Sequence, residues 1–264
     1  MASKHNISRA SALYYGDAYN AVAFASNERP GAPFMPLTKV SLGSPVTLDA
    51  DGIVKAATST ELPDAAGTTT YTTATDGTSP LDAAIAAPST VFLNGANVLV
   101  WVLDVPRNIT ATVTHSSSVV AMTITVTGYD QYGVPMSEAL SIAATGTSQT
   151  AAGLKAFKYV YSVAFTVAAD ATTNTANVGW GDVLGLPYKL PAVSDLFTNG
   201  TYFNEVLETT APTVVKGDVT TATTTTGDVR GTVDLDSAMD GSAVSVWYRT
   251  DPTSNTTLFG VTQA

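Results

Sequence analysis

The chain contains no cysteine, which excludes disulfides, thiolate nucleophiles and Cys-ligated zinc or iron–sulfur centres. Charge is scarce too: 13% of residues are charged, against roughly 25% in an average soluble protein. Lys and Arg number 12 against 22 Asp and Glu, for a formal net charge of -10. No basic stripe is therefore available to neutralise phosphates or to seek an anionic membrane surface, so neither nucleic acid nor membrane is expected as a partner. The longest apolar run, Val98 to Leu103, is far below the ~20 residues that span a bilayer. The opening stretch MASKHNISRASALYYGDAY has no apolar core of the secretory type, and synthesis in the cytoplasm is expected.

Imidazole is nearly absent. His5 belongs to the terminal segment and His115 to the serine-rich turn THSSSV, where a polar residue needs no catalytic explanation. No G-x-S-x-G elbow is present to support a nucleophilic serine. No catalytic residue is assigned, and no cofactor or metal is expected. Four Asn-x-Ser/Thr sequons, at Asn6, Asn108, Asn199 and Asn255, arise readily by chance in a chain this rich in Ser and Thr.

What the chain has instead is apolar and hydroxyl side chains in alternation. MTITVTG places Met122, Ile124 and Val126 on one side, and NITATVT places Ile109, Ala111 and Val113 on one side; both read as half-buried strands. VLVWVLDVP is an apolar run of strand length that precedes the second of these. LKAFKYVYSVAFTVAAD admits a helical period through Leu154, Phe157, Val160, Tyr161 and Ala164. The strand template fits better, with Phe157, Tyr159, Tyr161, Val163, Phe165 and Val167 sharing one parity and aromatic and β-branched residues prevailing. AVSVWYRT separates Val244, Val246 and Tyr248 from Ser245, Trp247 and Arg249.

These patterns predict an all-β chain, an antiparallel β-sandwich of jelly-roll or Ig-like type, with an extended N-terminal arm and a further small β region at the C-terminus. The arm covers residues 1–35. It ends in three prolines within NERPGAPFMPLTK, which forbid a regular helix or central strand. Tyr14, Tyr15, Tyr19, Phe24 and Phe34 are too many aromatics for a purely solvated tail and are candidate assembly contacts.

Residues 36–90 form a small hairpin and loop region. Within it SPVTLDADGIVKAAT reads as two short strands around an Asp51-Gly52 turn. Residues 91–190 form the central sandwich, which the chain leaves through the Gly- and Pro-rich NTANVGWGDVLGLPYKLP. Residues 191–264 form the C-terminal β region, packed on the sandwich or separate from it.

Three acidic features could carry chemistry. Asp234, Asp236 and Asp240 before Gly241 fail the spacing of a calcium loop, and a solvated turn is the better reading. Glu138 shares strand parity with Val134, Met136, Leu140 and Ile142, so its charge needs a partner, a bulge or an edge position; Arg107 is a conceivable partner. The turn GYDQYG sets Tyr129 and Tyr132 around Asp130 and Gln131. Such mixtures occur at recognition surfaces, so both tyrosines join the candidate assembly contacts. Trp180 and Trp247 would join them in a sugar-binding alternative.

VPRNITATVT, MTITVTGYDQYG, SEALSIAATGTSQTAAGLKAFKYVYSV and GWGDVLGLPYKLP together resemble β-sandwich segments of structural proteins of tailed bacteriophage virions. PVTLDADGIVKAAT resembles small β elements of capsid cement or decoration proteins. The resemblance covers the middle third of the chain most clearly, and it carries over no catalytic residue. It implies a virion component on the phage head surface that clamps neighbouring subunits. Its partners would be the major capsid protein and copies of itself, a homotrimer being one option. A tail- or fibre-associated protein and a carbohydrate-binding adhesive sandwich are the alternatives.

Overall fold

The structure, a computed structural model, describes residues 37–57, 62–72, 88–93, 95–171, 173–218 and 227–249. The arm of residues 1–35, with Tyr14, Tyr15, Tyr19, Phe24 and Phe34, lies outside the described residues, as do His5, Asn6 and Asn255.

The strands in chain order are β1 Leu37–Gly43, β2 Asp49–Ala57, β3 Gly67–Thr72, β4 Ser89–Leu93, β5 Ala96–Thr114, β6 Met122–Tyr129 and β7 Pro135–Ile142. They continue as β8 Ser148–Val167, β9 Thr175–Gly185, β10 Leu196–Phe203, β11 Val206–Leu207, β12 Thr213–Lys216, β13 Gly231–Asp234 and β14 Val244–Arg249. A three-residue 3-10 turn precedes β10, and no α-helix occurs among the described residues. The fold is all-β and sandwich-like, as the alternation predicts.

Two antiparallel sheets are present among the described residues. The larger has ten strands along the path β12-β13-β9-β5-β8-β6-β7, with β2 joined to β9, β3 to β8 and β4 to β5. The smaller has four, in the order β1-β14-β10-β11. Strands from residues 37–72 are thus distributed: β1 pairs with β14, β2 with β9 and β3 with β8.

The larger core lies within the curled ten-stranded sheet, around Ile53, Ile109, Ile124, Phe157 and Phe165. Each is fully buried and contributes about 1.5–3 kcal/mol of transfer free energy. The second core joins the sheets: Val40, Val244, Val246 and Tyr248 of the small sheet pack against Leu184 of β9 and Val233 of β13.

Four expectations are corrected. Asp51-Gly52 does not turn a hairpin: β2 is one strand antiparallel to β9, and its register jumps between Asp49↔Trp180 and Val54↔Val178, so the Asp-Gly pair forms a bulge. A Cβ at Gly52 would fall 2.3 Å from the Trp180 ring, so the glycine lets the strand lie against that ring.

The second correction concerns Val98–Pro106 and Asn108–Thr114, which belong to one strand of 19 residues, β5. Pro106 is accommodated because Leu103–Pro106 bulge out between Val102↔Tyr159 and Arg107↔Phe157, opposite Lys158 alone. The Lys158 ammonium donates to the freed Leu103 and Asp104 carbonyls.

Third, the single inward parity of β8 breaks. A register shift between Thr127↔Ser162 and Gly128↔Val160 leaves Tyr161 unpaired with β6. Val163, Phe165 and Val167 are buried after it, Val160 and Phe157 are buried before it, and Tyr159 and Tyr161 are half-buried.

Fourth, residues 175–185 do not leave the sheet. They form β9, flanked by β5 on one side and by β2 and β13 on the other. The glycines there allow close approach: a Cβ at Gly179 would sit 1.8 Å from the Asp49 carbonyl oxygen.

Candidate functional site

The turn after β6 is built by Asp130. Its carboxylate Oδ1 accepts from the backbone N–H groups of Tyr132 at 2.8 Å and Val134 at 2.9 Å, and Gly133 closes the turn with φ of 77°. The other oxygen pairs with the Arg230 guanidinium, and both side chains are buried. Arg230 lies 4.5 Å from the centroid of the Tyr132 ring, a cation–π distance. The Tyr132 hydroxyl donates to the Pro187 carbonyl at 2.8 Å. Tyr132 thus packs on its own chain while keeping 49% of its surface exposed. Tyr129 is half-buried in the ladder between Pro135 and Tyr159.

The most heavily charged part of the interior is a second cluster. Glu138 of β7 is buried, and its carboxylate accepts from the backbone amides of Leu154 and Lys155. Those amides are free for it because the β5–β8 register slips between Asn108↔Ala156 and Thr110↔Ala152, so β8 bulges at residues 153–155. The next amide, Ala156, donates to the Asp228 carboxylate at 3.1 Å. Three consecutive amides, two in the bulge and one at its edge, therefore receive two buried carboxylates.

Gly153 is required at that bulge, since a Cβ there would fall 2.4 Å from the nearer Glu138 oxygen. Asp228 also accepts from the amides of Arg230 and Gly231. The Lys155 ammonium donates to the Ser137 carbonyl at 2.7 Å. Burial, with Asp228 adding repulsion, pushes the Glu138 carboxyl up to about 7, although the two amides and Lys155 pull the other way. Burial likewise raises Asp228 and lowers Lys155.

Arg107 is not the partner of Glu138. Its buried guanidinium takes the Gly181 carbonyl at 2.7 Å, the Val46 carbonyl at 3.0 Å and the Asp104 carboxylate at 3.1 Å, and burial lowers its pKa. It braces the β5 bulge against β9 and the segment before β2. Asn108 is buried and bonded to Gly153 and Val183, which makes it unavailable as a glycosylation site.

His115 Nδ1 accepts from the Ser117 and Ser118 amides at 2.8 and 2.9 Å and caps its own turn. Trp180 is packed under β2 and donates to the Thr47 carbonyl. Asp240 caps Ser242 in an exposed turn. No group of three or more His, Asp or Glu positioned to hold a metal occurs among the described residues.

The outward face of the four-stranded sheet is the candidate binding surface. β14 turns Val244, Val246 and Tyr248 into the core, which leaves Ser245, Trp247 and Arg249 outward. Trp247 stands opposite Lys39 of β1, and Tyr202 of β10 opposite Leu207 of β11. The Lys39 ammonium lies 5.6 Å from the Tyr202 ring centroid, so these side chains share one face. Phe197, 55% exposed, belongs to a β10 bulge between Leu196↔Tyr248 and Thr201↔Val246. A Cβ at Gly200 would lie 2.8 Å from the Trp247 Cβ and 3.0 Å from the Phe197 Cβ, which places the two rings' stems side by side.

Phe197, Trp247, Tyr202 and Leu207 form an apolar patch with Lys39 and Arg249 among them. Sequence reasoning singled out Trp247 alone. The others depend on which strand lies beside β14 and on the β10 bulge, since Phe197 and Tyr202 have opposite parity in LFTNGTYF. Compared with protein-family models, curated proteins and solved structures, the chain matches none of them.

Proposed function

We propose that the chain is a non-enzymatic structural protein that works by docking, and specifically a cement or decoration protein on the outside of a phage head. Its partners in this reading are the major capsid protein and further copies of itself, clamped as a closed oligomer. The observation that carries the docking part is the outward face of the small sheet. An antiparallel sheet that meets water on one side is normally polar there, yet this face presents Phe197, Trp247, Tyr202 and Leu207. Aromatic anchors of this kind dominate binding energy at interfaces.

Lys39 and Arg249 are cations at this face on a chain of net charge -10, so the complementary surface is apolar with an acidic rim. The virion assignment itself rests on the resemblance of the central segments. The net acidity suits an outer shell surface rather than a DNA-lined interior. Adding the purified full-length chain to empty shells is expected to saturate a fixed number of sites and raise the temperature at which the shells fall apart. Shells that neither bind the chain nor change in stability would end this reading.

A second reading is favoured by the same rings: Trp247 and Tyr202 on one sheet face are suited to stacking on sugars. Glycan-array binding lost in Trp247→Ala, with no binding to shells, would select it.

A further inference from the structure

We propose that Glu138 is a protonation latch that holds β7 against the first half of β8, closed while the acid is neutral and loosened when it ionises. The geometry makes this contact unlike the rest of the fold. β7 pairs with β6 alone, in an unbroken register from Met122↔Ile142 to Tyr129↔Pro135, and no ladder joins it to β8 among the described residues. What links β7 to residues 153–155 is side-chain chemistry: Glu138 on the Leu154 and Lys155 amides, and the Lys155 ammonium on the Ser137 carbonyl.

The charges around Glu138 leave it poorly compensated. Lys155 of β8 faces it as a cation and Asp228 as an anion. Lys155 is in turn shared, because Asp228 and Asp218 also act on it. The neighbouring cation, Arg230, is engaged by Asp130. Ionising Glu138 therefore adds a negative charge beside Asp228 in a buried site, which costs free energy that opening to water relieves. A neutral acid keeps an oxygen on the amides at no such cost. Burial, with the repulsion of Asp228, outweighs the two amides and Lys155, so the pKa of this group is raised.

The test is amide hydrogen exchange on the full-length chain from pH 5 to pH 8.5, with rates corrected for intrinsic exchange. The opening constant of segments 135–142 and 150–157 is expected to rise by up to about tenfold per pH unit over the range in which Glu138 is ionised in the open state but not in the closed one. Segment 244–249, in the other sheet, serves as the unchanged reference. In Glu138→Gln the dependence is expected to shrink to the part that Asp228 and Lys155 contribute, because glutamine keeps an acceptor and cannot ionise.

A pH-independent opening constant in the native chain, or an unchanged dependence in Glu138→Gln, would overturn the proposal. Should that variant fail to fold, Asp228→Asn gives a second handle. Removing the neighbouring charge is expected to move the midpoint to lower pH, and an unmoved midpoint would equally overturn the latch.

Discussion

Asp130 and Arg230, a hundred residues apart in sequence, form a buried ion pair that fastens the β6–β7 turn to the segment entering β13. The turn that carries the most recognition-like residues of the sequence is thereby a clamp. Tyr132 covers the pair with its ring and donates its hydroxyl to Pro187.

Breaking that pair from one side is expected to be severe. Asp130→Ala strands the Arg230 charge and removes the acceptor of the Tyr132 and Val134 amides. The loss should be about 3–5 kcal/mol, read by urea denaturation. A loss below 1 kcal/mol would show that the pair is solvated.

Global stability should carry the signature of Glu138. Its pKa rises from 4.5 to about 7 on folding, so the folded chain keeps a proton that the unfolded chain has released. The stabilisation is therefore full below about pH 4.5 and lost as pH rises through about 7, a decline of about 3 kcal/mol. Urea midpoints across this range should fall in the native chain, and the fall should be smaller by this amount in Glu138→Gln.

Gly128 is expected to tolerate no side chain. A Cβ there would lie 2.0 Å from the Tyr159 carbonyl oxygen, a backbone atom that cannot rotate away. Gly128→Ala should cost about 3 kcal/mol or more and lower the melting temperature, whereas Ala at Gly227, where a Cβ would meet only the Asp218 Cβ at 3.8 Å, should have little effect.

Tyr248 tests the join between the sheets. Its buried hydroxyl donates to the Tyr188 carbonyl at 2.9 Å and accepts from the Tyr188 amide at 3.1 Å. Burial raises its pKa. Tyr248→Phe leaves both backbone groups without this partner and should cost about 1–3 kcal/mol, measured by thermal denaturation.

The sequence made the local alternation legible where strands are regular: Met122, Ile124 and Val126 are buried, as are Ile109, Ala111 and Val113, and Val244, Val246 and Tyr248. It misled wherever a bulge intervened. At Tyr161 the parity of β8 flips, and at Pro106 a residue that signals a strand end is absorbed by a four-residue bulge held by Lys158. Bulges depend on the partner strand, so no single segment announces them.

The partners of Glu138 were illegible for a related reason. Leu154 and Lys155 bind it through backbone amides, which every residue but proline carries, so side-chain identity gave no hint of them. Arg107 was the charged residue in view, yet three nearer oxygens claim it. The outward face was legible only in part, since Phe197 and Trp247 both flank Gly200 across a pairing that sequence distance hides.

Co-sedimentation with empty shells tests docking through the outward face of the small sheet most directly. Phe197→Glu combined with Trp247→Glu places two charges on that face while leaving the core residues Val246 and Tyr248 in place. The native chain should pellet with the shells, and the folded double variant should remain in the supernatant with at least a tenfold weaker affinity, about 1.4 kcal/mol. Equal binding by both chains would contradict the account.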